Sequence, residues 1–398
     1  MAMRTRNGRG MQDREREAMI GRLFEGVLRS ARNHLVPATS PLAAEVWASA
    51  LLSVWQAEPS SPDLADTDDG FGEALVRHAR GEGTPEAAAI LWALAGVVPN
   101  RLATKARTAA ASLERGGVPA PAWAAEVGRS RPTEAWVGRD LYGDQEIVIV
   151  GFAYAAGDGE PGARDMARDR EHSLCVLVDH NLGGMAKDAY IASALPATLA
   201  RWRDAEAEGI TLEPITLAAA AARLEDALLA TEIGEDDNAG TRLIELRALL
   251  ATRLEALPLP ERSGTGELDL GHRDRLVADF LSSPEAEGLL AEPAVVGICH
   301  SLVAYRADHG DGEPLRWSPT LAGMCLLHHF PSRAGIDEVD VALVPDVLCA
   351  WVRFAGRQRG LPEGATERVV ASVDACRADF TATMSGTGDL AGARLSVC

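Results

Sequence analysis

Asp179, His180 and Asn181 stand in a row where an apolar run stops, in the stretch CVLVDHNLGG from Cys175 to Gly184. An acid beside an imidazole can hold the ring basic near neutral pH, so the trio has the make-up of a general acid–base site. Gly183 and Gly184 could turn backbone N–H groups toward an anion. Lys187 and Asp188 then add a cation and a second acid, and Lys105 is the only other lysine in the chain. The candidate catalytic residues are Asp179, His180, Asn181 and Lys187, and the candidate ligand-binding positions are Gly183 and Gly184. The same residues also have a plainer meaning, because Asp, Asn and paired glycines are what ends a strand and makes a turn. On an extended strand Asp179 and His180 point to opposite faces, so they do not form one dyad. A strand terminus with a shaped turn is the leading interpretation.

A second constellation is Cys299, His300, Cys325, His328 and His329. CLLHH puts His328 and His329 at i+3 and i+4 from Cys325, on one helical face, and two helices could supply zinc ligands. Cys299 and Cys325 also fit the apolar stripes of their own segments, which favours a dry core over a metal site. No metal and no other cofactor is expected. Arg353, Arg357 and Arg359 form a basic end to a helical run, where cations suit the helix dipole; a solvated helix end is preferred over a phosphate site. A Gly-x-Ser-x-Gly elbow, a P-loop, a dinucleotide-binding glycine fingerprint and an HExxH pair are all missing.

Composition narrows the classes further. The 398 residues are 47% hydrophobic and 24% charged, enough for two or three cores of a globular protein. The net charge of −19 repels phosphate backbones and anionic membrane surfaces, so nucleic acid is not expected as a partner for the molecule as a whole. The arginines at 4, 6, 9, 14 and 16 are interspersed with acids and read as a frayed tail, and Met11 could be the true start. No apolar run reaches the roughly 20 residues that span a bilayer, and no signal peptide is visible. Six scattered cysteines read as buried free thiols in a reducing cytoplasm.

These residues need elements to position them. Residues 14–130 carry helical periodicity, including a start signal at Ser40 and Pro41. The pattern changes near Pro132. Strand-like runs at Ala135–Leu141 and Ile147–Tyr154 are joined by a turn holding Gly143 and Asp144. HSLCVLVDHN and MAKDAYIA complete a small antiparallel sheet over residues 133–192. Helices then return, with Thr216 as an N-cap. The Pro/Gly/Ser-rich stretch 258–271 reads as a linker. Residues 272–385 form a C-terminal helical domain in which Ser318 caps a helix that has Pro319 at its first position. The expected domains are therefore 14–130, 131–257 and 272–385.

VLVDHNLGGMAKDAYIA, PLRWSPTLAGMCLLHHFPSR and VPDVLCAWVRFAGRQRGLP together resemble a group of uncharacterised actinobacterial proteins over residues 130–375. The resemblance brings no activity and no functional residues with it, and CLLHH departs from its pattern. The expected fold is α+β and mostly α-helical, a small antiparallel sheet flanked by helical regions. The leading functional expectation is a cytoplasmic, non-enzymatic protein that binds a protein partner. The alternative is a hydrolase-like enzyme or small-ligand-binding protein with its site at Asp179, His180 and Asn181.

Overall fold

The structure, a computed structural model, describes residues 21–56, 70–98, 100–154, 170–204, 209–233, 240–262, 270–309, 312–332 and 338–385. The basic N-terminal stretch, most of the polar stretch GDGEPGARDMARDRE expected as a loop, half of the expected linker (263–269) and the tail from 386 lie outside the described residues.

The chain is mostly helical with one antiparallel sheet. Helices α1 (21–34), α2 (Pro41–Gln56), α3 (Gly70–Glu82), α4 (Pro85–Leu94) and α5 (Asn100–Arg115) come first. Their ends follow local chemistry. Helix α2 opens at Pro41, where a missing N–H costs nothing. In α4 the Thr84 hydroxyl accepts from the Ala87 N–H at 3.3 Å and caps the first turn.

The sheet follows as β1 (Ser130–Arg139), β2 (Gln145–Tyr154), β3 (Glu171–Asp179) and β4 (Met185–Ala192), with α6 (Leu195–Asp204) before β5 (Thr211–Ile215). The strand order is β4-β3-β2-β1-β5, antiparallel throughout. Strand β5 pairs with β1 at the sheet edge and was not expected from sequence. It is five residues long and contains Pro214, which an edge strand tolerates.

Strand β2 is apolar at nearly every position because both sheet faces are covered. Val148, Val150 and Phe152 join a core shared with the N-terminal helices, while Ile147 and Ile149 pack with Leu195 and Leu199 of α6. Helices α7 (Leu217–Ile233) and α8 (Thr241–Glu255) lie on the first face, and α8 packs along α2. The N-terminal helices and the sheet thus share one hydrophobic core, and residue 130 divides elements rather than cores.

A separate core holds α9 (Leu270–Leu281), α10 (Ala294–His309), α11 (Pro319–Met324), α12 (Glu338–Arg359) and α13 (Glu363–Met384). Helix α12 runs through Pro345, which lies inside it. The β1–β2 turn reaches across to this second body. Asp140 organises the turn: its carboxylate accepts from the N–H groups of Tyr142, Gly143, Asp144 and Gln145 at 2.6–3.1 Å. Tyr142 packs on the C-terminal core, and its hydroxyl donates to the Ala365 carbonyl at 3.2 Å.

Candidate functional site

Strand β3 ends at Asp179, and His180–Leu182 form one 3₁₀ turn. Asp179 caps that turn, accepting from the Asn181 N–H at 3.0 Å, and its other oxygen pairs with Lys187 Nζ at 3.2 Å. Gly183 and Gly184 follow with φ of +76° and +78°, a region that glycine enters without steric cost. So Asp179 and Lys187 hold the turn together. Asn181 takes a different part, accepting from Arg316 Nη1 at 3.1 Å. The residues expected to be catalytic do not converge on one point: only His180 of them, with Gly183 and Gly184, faces the main cleft.

That cleft has a volume of about 480 Å³ and lies between the end of the sheet, α7 and the C-terminal body. This is within the usual range for a small-molecule site, and a junction between two bodies is a common place for one. Its floor is Glu146, the second residue of β2 and only 5% exposed. Arg139 faces it across the β1–β2 pair and donates Nε to Glu146 Oε2 at 2.8 Å. Arg223 of α7 stands on the other side, its Nε 3.3 Å from Glu146 Oε1 but outside hydrogen-bond geometry. His180 Nε2 stands 3.9 Å from Oε2. Burial pushes the Glu146 carboxyl up, but the facing His180 ring and the Arg139 and Arg223 charges outweigh it. The group is held below the ordinary carboxylate range and is ionised at neutral pH.

One carboxylate therefore serves two guanidinium groups and an imidazole. Arg139 has a second acid in Glu213. Arg223 has only Glu146 among the described residues, and its side chain is 37% exposed, with its Nη groups making no hydrogen bond there. His180 Nδ1 is buried with no hydrogen-bond partner.

The C-terminal body closes the far side. Arg316 is only 4% exposed and donates to Asp144 Oδ1 at 2.6 Å, to Asn181 Oδ1 and to the His180 carbonyl at 3.0 Å. It pins the turn that carries His180 to the hairpin that carries Glu146. Arg359 donates to the Tyr142 carbonyl at 3.1 Å and also lines the cleft. The basic end of α12 is exposed, as expected, and its arginines also find partners: Arg353 pairs with Glu367, Arg357 with Glu285, and Arg359 with the hairpin. Ion pairing holds the Glu285 carboxyl down at about 2, with the Arg357 hydrogen bond as the largest cause.

Sequence reasoning missed Glu146, Arg139, Arg223 and Arg316. Glu146 did leave a signal, an acid directly after the turn and inside an otherwise apolar run, QEIVIV. The arginines left none, since they lie up to 177 residues from Arg139 along the chain and meet only on folding.

The Cys/His constellation does not assemble. Cys299 and Cys325 are buried in the C-terminal core, and burial pushes the Cys299 thiol up to about 12. His300 turns instead toward Asp274, with 3.8 Å between Nδ1 and Oδ1. Residues 325–329 form a π turn, which breaks the i+3 and i+4 spacing of an α-helical face. His329 stacks on Tyr305, with centroids 4.5 Å apart. Among the described residues no group of three or more His, Cys, Asp or Glu side chains is arranged to hold a metal ion.

One further polar cluster lies outside the cleft, inside the first core. Arg253 of α8 pairs with Glu45 of α2, and its Nη2 also bonds the Tyr154 hydroxyl at 2.8 Å. Its Nε donates to His172 Nε2 at 3.3 Å, and Glu45 Oε1 accepts from the Gly128 N–H at 2.6 Å. All four side chains are nearly fully buried, so the cluster fastens helices to sheet.

No described helix is long and apolar enough to cross a membrane. Comparisons with protein-family models, with curated proteins and with solved structures find no match.

Proposed function

We propose that the protein binds a small anionic molecule in the cleft between the sheet and the C-terminal helical body. The supporting observation is the charge balance at Glu146. One buried carboxylate faces Arg139, Arg223 and His180, and the Nη groups of Arg223 have no protein partner among the described residues. An incoming carboxylate or phosphate supplies the missing counter-charge in a partly desolvated setting, where a bidentate arginine contact is strongest. His180, Gly183 and Gly184 form the adjacent wall.

The test is calorimetric titration at low salt with citrate and inorganic phosphate as probes. Wild type is expected to bind at least one of them, and Arg223→Gln to lose about tenfold or more in affinity. Arg32→Gln, an exposed arginine paired with Glu86 in another part of the molecule, is expected to bind as wild type does. Binding that is unchanged in Arg223→Gln, or no binding at all, sinks the proposal.

A protein partner is a second reading. It is favoured by the apolar groove between α7 and α8, lined by Leu228, Leu229, Leu243, Leu250 and Leu254, with Leu229 56% exposed.

A further inference from the structure

A carboxylate forms the floor of the cleft, so an anion that enters must settle beside it. Glu146 is 5% exposed, too little for water to solvate its charge. Its neighbours balance that charge instead. From β1, Arg139 Nε donates to Oε2 at 2.8 Å, and Glu213 of β5 shares the same guanidinium group. From α7, Arg223 Nε lies 3.3 Å from Oε1. From the turn after β3, His180 Nε2 lies 3.9 Å from Oε2. His180 Nδ1 is buried, so the ring meets the cleft through Nε2.

The charges around this floor are engaged elsewhere. Asp226, one turn beyond Arg223 on α7, pairs with Arg262 at 3.0 Å, and Asp179 pairs with Lys187 at 3.2 Å. Arg316 is held by Asp144 and the His180 carbonyl, and Arg359 by the Tyr142 carbonyl. Glu313 lines the cleft from the C-terminal body. Arginines keep their charge, so of the four groups at the floor Glu146 and His180 are the two able to take up a proton.

An anion seated at Arg223 and Arg139 draws on the same guanidinium groups that keep Glu146 ionised. It also sets a second negative charge beside a buried one, and a proton relieves that repulsion. Burial already pushes the Glu146 carboxyl up, and the cations that oppose it are those the anion would share. His180 offers the proton a second seat beside the same oxygen.

Resting on the cleft reading above, we infer that anion binding in the cleft is coupled to the uptake of one proton, held between Glu146 and His180. The site then takes the anion and the proton together, and its affinity rises as pH falls.

The probe is sulfate, which has no proton of its own to exchange near neutral pH. Calorimetric titrations of the full chain at pH 8, 7 and 6, each in two buffers of different ionisation enthalpy, count the protons taken up. If sulfate alone fails to bind, phosphate takes its place, with its own protons subtracted. Affinity is expected to rise about tenfold or more from pH 8 to 6, with net proton uptake. Glu146→Gln is expected to bind about tenfold more tightly than wild type at pH 8, because the competing charge is gone. The double variant Glu146→Gln, His180→Gln is expected to lose the pH dependence. Circular dichroism confirms that both variants are folded. If sulfate, phosphate and citrate all fail to bind wild type, the cleft reading falls and the coupling with it. If wild type binds equally at pH 8 and 6 without proton uptake, the coupling is overturned and the anion site stands. A Glu146→Gln variant that binds no more tightly than wild type at pH 8 also overturns the coupling. If the double variant keeps the wild-type pH dependence, the proton is held elsewhere and the assignment to Glu146 and His180 is overturned.

Discussion

Arg253 and Glu45 meet with 2% and 0% of their side chains exposed, far from any solvent that could screen them. Such a pair adds little net stability over an apolar substitute, but removing one partner strands the other charge. Glu45→Gln keeps an acceptor for the Gly128 N–H and removes the charge. It is expected to destabilise the fold by about 3–5 kcal/mol, read as a shift in the denaturant midpoint. A cost under about 1 kcal/mol would mean that Arg253 finds another counter-charge. The Glu146 floor differs from this cluster in one respect that matters for function. Its arginines reach a cavity, while Arg253 is closed in by the Phe152 and Tyr154 rings at 5.3 and 5.7 Å. The Glu45–Arg253 pairing was not legible in sequence: the two are 208 residues apart, and nothing local marks them as partners.

Elements were the most legible level, because helix starts are set by neighbours in sequence. Ser318 caps α11, accepting from the Leu321 N–H at 3.1 Å, and Thr216 caps α7, accepting from the Ala219 N–H at 3.0 Å; both caps were read from residue type. How elements approach one another was not legible. Gly356 in α12 faces Thr366 in α13, and a Cβ there would lie 2.4 Å from Oγ1 and 3.1 Å from Cγ2. Thr366 is 8% exposed and has little room to move. Gly356→Ala is therefore expected to cost about 1–3 kcal/mol, although alanine is the better helix former. Adding Thr366→Ala should recover part of the loss. A stabilised Gly356→Ala single variant in urea unfolding would show that the two helices can separate freely.

Among the described residues the two larger hydrophobic cores meet at the β1–β2 hairpin and the His180 turn, and a small third cluster lies on the other face of the sheet. The response of the fold to pH is set mainly inside the first core. Burial, with the Arg253 charge as a lesser cause, pushes the His172 ring down to about 3. The unfolded chain takes up a proton on this residue near pH 6.5, and the folded chain does so only near 3. The unfolded state then binds more protons between those values. Stability is thus fully present above pH 6.5 and is lost as pH falls toward 3, by an amount on the order of 1 kcal/mol per pH unit. Carboxylates held low by arginines, such as Glu285 at about 2, add their own loss only below about pH 4.5. Denaturant midpoints measured from pH 7 to 5 should fall in wild type and flatten in His172→Gln. An identical slope in both would mean that His172 is protonated in the folded state.

Local chemistry in the sequence was enough to define a mostly helical α+β chain with a small antiparallel sheet. Apolar periodicity, capping residues and turn glycines act over a few positions, so they can be read without the fold. It was also enough to place a turn at DHNLGG. It could not say which residues of that turn face a cleft. The strand ends at Asp179, the first residue of the trio, and the turn that follows sets His180 toward Glu146 and leaves Asp179 with Lys187. Only the tertiary structure brought Arg223 and Arg316 to that place, because both are delivered by helical bodies packed against the sheet. Charge pairing across long sequence separations depends on chain packing, and no short window of residues contains it.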